Sequence, residues 1–234
     1  MGGFHWKTLV FYGILTLLTL VAIILIITVN SQTKFAVEEV TIQADVILDA
    51  GHGGMDGGAV SADGICEAPI TLAIAQKTRY LMGFCGKNAL MTRTNDTSLH
   101  YREGATVREN KNADLKARLE LSRQYPACPF LSIHLNQFPQ PQYAGAQVFY
   151  GPNGQRLAET LQAALKAALD PENERLCKPA PDGVFLMKNI SSPAVIIECG
   201  FLSNPEECAK LQQDSYQTRI ALAIVSGFEN YNRG

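Results

Sequence analysis

Along the chain one long apolar block comes first, and shorter blocks of two alternating periods follow it. Residues 8–29, TLVFYGILTLLTLVAIILIITV, contain no charge. As a helix rising 1.5 Å per residue they reach about 33 Å, enough to cross a hydrocarbon core of about 30 Å. A secretory signal is the competing reading, but its apolar region usually runs about 7–15 residues. Asn30, Ser31 and Gln32, which follow directly, offer no small-x-small cleavage pattern. The block therefore predicts an uncleaved single-pass membrane anchor, with a short leading segment at 1–7. Polar, unpatterned residues at 30–43 read as a linker. Lys7 before the span and Lys34 after it nearly balance, and Glu38 and Glu39 lean towards a cytoplasmic amino terminus. The bulk of the chain then lies outside the cytoplasm.

From residue 44 onward strand-like and helix-like segments alternate. Strands are expected at 44–50, 89–92, 130–134, 146–150, 184–187 and 194–198, the last almost wholly apolar and so central. Helices are expected at 69–84, with Pro69 in its first turn and Gly83 and Gly86 at its end, and at 107–125, stopped by Pro126. A third, at 155–169, carries Leu157, Leu161, Ala164, Leu165 and Ala168 on one face. Two more, 205–213 and 216–231, close the chain. Strands interleaved with helices of this length predict an α/β domain over 44–234, its mostly parallel or mixed central sheet covered by helices on both faces. In such sheets ligands gather at the carboxyl ends of strands.

Composition adds little beyond exclusions. The 234 residues carry a net charge of −2, and the basic residues form no dense cluster, so no nucleic-acid surface is expected. The six cysteines include no C-x-x-C pair, which argues against a thiolate zinc cluster. Their even number in an exported domain permits disulfides, whereas Cys199 and Cys208, in strand-like and helix-like segments, read equally well as buried thiols.

The chemistry is carried by few residues. Catalytic zinc typically takes three protein ligands, His or carboxylate, and keeps one position open for water. Of four histidines, His5 precedes the apolar span and His100 lies in a polar loop. His52 stands in a glycine-rich turn, DAGHGG, after the first strand, and His134 stands in LSIHLN. Each also reads as an ordinary residue, His52 of a turn and His134 of a half-buried strand. Glu67, just before Pro69, suits either a third ligand or a carboxylate stabilised by a helix dipole. Glu198 ends the apolar run AVIIE, where a carboxylate is costly unless paired or used. It is either a general acid/base or half of an ion pair with Arg93 or Arg118. His52, His134 and Glu198 all fall at or just past predicted strand ends.

Several motifs occur together in one order: DAGHGGMDGGA, the isolated Glu67, MTRTND, LKAR, SIHLN, GAQVFY and IECGFLSNPEE. In this order they resemble the zinc-dependent N-acetylmuramoyl-L-alanine amidases, over essentially all of 44–231. Within that family the likeness is strongest to the germination-specific, spore-cortex type, through DGGAV, SIHLN, GAQVFY, the Val-Phe-Leu-Met-Lys segment and the single N-terminal span. The resemblance implies that His52, Glu67 and His134 hold Zn2+ and that Glu198 is the catalytic acid/base. It further implies a peptidoglycan substrate, and a separate muramic-acid deacetylase acting downstream; the identity of any activator is not readable from the sequence. Ala50 and Gly57 stand where the family often has prolines. Cys66 beside Glu67 and Cys199 beside Glu198 are less usual, since an inward thiol would compete for zinc. Some relatives insert a plug helix after the GAQVFY strand; here Gly151–Gly154 leads straight into the next helix.

The function expected is a membrane-anchored hydrolase cleaving the amide between the lactyl group of N-acetylmuramic acid and the first L-alanine of the stem peptide. A peptidase acting between stem residues on the same metal site, and a non-catalytic wall-binding domain, are the alternatives. The expected location is the cell membrane, with the catalytic domain facing the wall or spore cortex.

Overall fold

The computed structural model describes residues 3–35 and 43–233, which form two compact units, Met1–Gln43 and Ala44–Gly234. In the first, helix α1 spans Gly3–Phe35. Its apolar stretch His5–Thr28 has a mean hydropathy of 2.9 and is long enough to cross a membrane. Hydroxyls within it bond back along the helix, Thr16 Oγ1 donating to the Tyr12 carbonyl at 3.0 Å and Thr28 Oγ1 to that of Ile24 at 3.0 Å. Such bonds satisfy polar groups that lipid cannot. The helix runs on through 30–35, which the sequence reads as linker, because no glycine or proline stops it there. The rest of that linker, 36–42, lies outside the described residues.

The second unit is built on a six-stranded sheet. Its strands are β1 (Val46–Ala50), β2 (Ala89–Met91), β3 (Phe130–Asn136), β4 (Gln147–Tyr150), β5 (Lys178–Pro179) and β6 (Ala194–Phe201), in the order β2-β1-β3-β6-β4-β5. All neighbours are parallel except β4 and β6. The helices are α2 (Glu67–Phe84), α3 (Val107–Gln124), α4 (Gln155–Leu169), α5 (Phe185–Asn189), α6 (Pro205–Leu211) and α7 (Asp214–Arg233). Strand alternation divides the sheet into two faces. Leu48, Leu131, Ile133, Val148, Val195, Ile197 and Cys199 face α2, α4 and α7 in one large apolar core. Ile47, Phe130 and Ala194 face Leu119 of α3 and Leu186 and Met187 of α5 in a smaller one. Helices on both faces of a mixed sheet are the architecture expected.

Three details differ from the expected elements. The segment 184–187 is not a strand; it lies in and beside the short helix α5, which buries Leu186 and Met187. A short apolar run does not by itself distinguish the two, and the Pro181–Val184 turn before it sets a helical start. Strand β5 comes from a polar stretch with no period to betray it. Strands β3 and β6 run past their expected ends, to Asn136 and Phe201, so His134 and Glu198 sit inside strands rather than at their tips. A register shift between His134 and Asn136 marks where the β3 ladder loosens.

Candidate metal centre

The smaller-core face becomes polar towards the carboxyl ends of its strands. In the register of the sheet Asp49 of β1 lies beside Ser132 of β3, His134 of β3 beside Glu198 of β6, and Glu198 beside Gln147 of β4. A row of side chains, stepping along β3 from Ser132 to His134, thus crosses four strands. Leu131, Ile133 and Leu135 alternate with Ser132, His134 and Asn136, so the same six residues serve core and site.

His52 enters this row from the turn after β1. Its backbone is left-handed, with φ 61°, a conformation that β-carbon sterics disfavour by about 1–2 kcal/mol. Two buried arginines hold the turn. Arg118 Nη2 donates to the His52 carbonyl at 2.7 Å and Nη1 to that of Ala50 at 2.9 Å. Arg93 donates to the carbonyls of Ala50, Gly51 and Ala68 at 3.0, 2.9 and 2.8 Å. Glycine is required at two points by close approach. A β-carbon at Gly51 would lie 2.4 Å from the His134 ring, and one at Gly58 would lie 2.6 Å from Glu67 Oε2.

Glu67, the first residue of α2, is 2 % exposed and lies between the two imidazoles. Its Oε2 is 3.2 Å from His52 Nε2 and its Oε1 is 2.9 Å from His134 Nδ1. The backbone N–H groups of Ala59 and Leu135 donate to the same two oxygens at 2.8 and 2.9 Å. The outer ring nitrogens are also engaged. His52 Nδ1 is 2.9 Å from Asp56 Oδ2, and His134 Nε2 is 3.1 Å from Ser132 Oγ, which donates to Asp49 at 2.5 Å. With protons on those outer nitrogens, His52 Nε2 and His134 Nδ1 keep their lone pairs for a ligand. The rings stand edge-to-face, 4.9 Å between centroids.

The donor set fits a divalent cation: two imidazoles and one carboxylate offer ligand atoms within 4.8 Å of one another. Charge balance agrees. Burial opposes protonation of His52, but hydrogen bonds and charge from Asp56 and Glu67 outweigh it and hold the ring up to about 9. Burial likewise opposes ionisation of Glu67, and the imidazoles of His134 and His52 overcome it, holding the carboxyl well below the usual range. A positive charge is therefore favoured between these groups.

Glu198 stands next to His134 in the row and is not one of the three. It is half-buried, and its Oε2, sealed from solvent, has no hydrogen-bond partner. Burial lifts its carboxyl to about 7, with Glu67 pushing the same way and the histidines against. The ion pair with Arg93 or Arg118 considered from sequence does not form. Arg118 pairs with Asp49 and, at 2.7 Å, with Asp114, while Arg93 is occupied by carbonyls. Cys199 points away into the large core, and the Cys66 thiol faces the Gly64 carbonyl at 3.9 Å, so neither thiol joins the donor set. All six cysteines are free thiols. His100 takes no part.

Sequence reasoning missed Asp49, Ser132, Asp56 and Gln147, and did not foresee the partners of the two arginines. A signal for Asp49 existed: a carboxylate in the wholly buried strand VILDA demands a cation, and LKAR supplies it.

The comparisons with known proteins agree with this geometry. A profile of the N-acetylmuramoyl-L-alanine amidases matches residues 46–230. The germination-specific N-acetylmuramoyl-L-alanine amidase of Bacillus subtilis (strain 168) is 35 % identical over 80 % of this chain and 78 % of its own length. Among solved structures, the CwlD amidase from Clostridioides difficile, in complex with the GerS lipoprotein, is 42 % identical. It superposes with a TM-score of 0.77, covering 80 % of this chain and 98 % of that one. The amidase AmiC2 of Nostoc punctiforme is 27 % identical, with a TM-score of 0.70 over 82 % of this chain and 98 % of its own. With the fold, the polar row and a family match spanning most of the sequence in accord, this chain belongs to the N-acetylmuramoyl-L-alanine amidases and acts on peptidoglycan.

Proposed function

We propose that the enzyme is a zinc amidase of cortex or wall remodelling, in which His52, Glu67 and His134 hold the metal and Glu198 moves the proton. The observation that carries this reading is the unpartnered Glu198 oxygen beside a two-histidine, one-carboxylate donor set. Two nitrogens and an oxygen with one position left open suit zinc in catalytic form. When bound, zinc would polarise the scissile carbonyl and bring the pKa of water towards about 7. Glu198 takes the proton of the attacking water as the carbon–oxygen bond forms. It then delivers that proton to the alanine nitrogen as the carbon–nitrogen bond breaks, leaving muramic acid and a stem peptide with a free amino terminus. A carboxyl lifted to about 7 suits both halves of this exchange near neutral pH. Asp56, Ser132 and Asp49 fix the ring tautomers, and Arg93 and Arg118 hold the turn that aims His52.

Helix α1 anchors the enzyme, with the catalytic unit outside facing the wall. The likeness to the germination-specific relative supports a role in spore cortex, with a muramic-acid deacetylase acting on the stripped product. The likeness to CwlD supports a lipoprotein partner. The test is digestion of purified peptidoglycan by the full chain in detergent, with zinc measured in the same preparation. Free stem peptides beginning at L-alanine, from protein holding about one zinc, are expected. Fragments cut within the stem, or full activity without metal, would overturn the reading.

A further inference from the structure

Beyond Glu198 the polar row continues to Arg175, a cation that forms no ion pair among the described residues. Gln147, directly across from Glu198 in the antiparallel pair of β6 and β4, is buried. Opposed residues of an antiparallel pair share a face, their β-carbons about 4.5–5.5 Å apart. The Gln147 amide donates to the Leu176 carbonyl at 2.8 Å, and its oxygen accepts from Arg175 Nη1 at 3.1 Å. Arg175 Nε donates to the Ala144 carbonyl at 2.6 Å, and the guanidinium lies 4.6 Å from the centroid of the Phe201 ring. Its loop is also fixed: the Arg175 N–H donates to Asn173 Oδ1 at 3.0 Å, and Asn173 Nδ2 to the Ala146 carbonyl at 2.9 Å. Among the described residues no carboxylate lies within ion-pair distance of Arg175. Glu207, which feels its charge, commits both oxygens to the N–H groups of Gly145 and Phe201. The side chain lines an open cavity of about 590 Å³ with Tyr143, Gly145, Gln147 and Lys178.

A guanidinium this constrained is poised for a planar anion, because little freedom remains to be lost when the anion arrives. Asp170, Glu172 and Glu174 line the same cavity and disfavour a polyanion, so a ligand with a single carboxylate suits the guanidinium better. The row also sets a direction. With Glu198 returning the proton as proposed above, the departing nitrogen would face it and the reacting carbonyl would lie towards His134. The peptide beyond the nitrogen therefore continues over β4, towards Gln147 and Arg175. In peptidoglycan the residue after the stem alanine is a glutamate linked through its side chain, so its α-carboxyl is free unless amidated. A residue spans about 3.3–3.6 Å, so that group is carried away from Glu198 in the direction of Gln147, on which Arg175 rests.

We infer that Arg175, steadied by Gln147 and Phe201, binds the α-carboxylate of the second stem residue and makes the enzyme selective for stems in which that group is not amidated. This rests on the placement of Glu198 proposed above. The test uses two muramoyl tripeptides identical except that the second residue bears a carboxylate or a carboxamide. The zinc-loaded full chain in detergent should favour the acid by about tenfold or more in kcat/KM, as a charge-assisted contact implies. Arg175→Met should erase that preference through KM, with kcat changed by no more than about twofold. Arg175→Lys, which keeps the charge but not the fork, should keep part of it. Calorimetry of the released peptide pair with metal-free protein gives a readout independent of turnover. The acid peptide should bind more tightly to the wild type and lose that advantage in Arg175→Met. Equal handling of acid and amide by the wild type overturns the inference, as does a preference that survives in Arg175→Met. If that variant does not fold, a full preference in Arg175→Lys overturns it instead. Should Glu198→Gln remain active, the catalytic assignment fails, while the calorimetric comparison still decides Arg175.

Discussion

The two faces of strands β3 and β6 are made from the same residues of sequence, taken alternately, and they do opposite work. On one face Leu131, Ile133, Leu135, Val195, Ile197 and Cys199 are sealed under α2, α4 and α7. On the other, Ser132, His134 and Glu198 join Asp49 and Gln147 in a row of groups that each cost free energy to bury unless paired. The apolar face tolerates small changes in volume because its forces have no direction. The polar face tolerates little, since each group orients the next. Stability and chemistry are thus separated by the strand period of two.

The separation is broken most severely at the donors. His52→Ala and His134→Ala should each lose zinc and essentially all activity while the apolar face keeps the domain folded, as metal analysis and circular dichroism would show. Near-normal zinc in both variants would remove the metal assignment. Next comes Glu198→Gln, which is nearly isosteric and cannot take a proton. Its kcat should fall by about 10²–10⁴ with zinc retained. The same variant sharpens the comparison through pH. A carboxyl lifted from 4.5 to about 7 by burial binds more protons folded than unfolded between those values, so it subtracts stability as pH rises through that window. In chelated protein, the melting temperature of Glu198→Gln should gain on the wild type from pH 5 to pH 7.5. Parallel melting curves would show that the carboxylate is not sealed.

Arg118→Met strikes the support beneath the polar face. It leaves Asp49 buried without its cation and frees the carbonyls of Ala50 and His52. A loss of about 3–5 kcal/mol is expected in chemical denaturation. A loss below 1 kcal/mol would mean that water or Arg93 replaces it. The smallest effect belongs to the apolar face. Ile197→Val, one residue from Glu198 and pointing the other way, should cost about 0.5–1.5 kcal/mol and leave kcat unchanged. If turnover fell with it, the two faces would be coupled through the backbone rather than independent.

Much of this arrangement was legible in the chain. His52, Glu67, His134 and Glu198 were selected because they are the residue types that zinc hydrolysis needs, placed at a glycine turn, a helix start or the end of an apolar strand, within motifs that occur in the family's order. The helix 155–169 was read to its ends because its apolar stripe has a clear period. Residues 184–187 were misread, since four apolar residues show no period, and the turn before them with packing against α3 and β6 decides the helix. The arginines were noticed only as alternative partners for Glu198. Their true partners, Asp49 and the turn carbonyls, lie more than twenty residues away in sequence, and backbone acceptors carry no signature in it.

By itself, then, the sequence determined the elements whose period is long enough to count, the apolar helix at the amino end, and the residues able to do the chemistry, because burial and propensity act locally and leave a pattern. Only the tertiary structure decided which of those residues meet. Strand register set His134 beside Glu198 and Glu198 beside Gln147, buried arginines fixed the left-handed turn at His52, and a loop from beyond α4 brought Arg175 to the end of the row. Those choices come from hydrogen bonds between distant segments, whose partners are fixed by geometry in three dimensions rather than by neighbours along the chain.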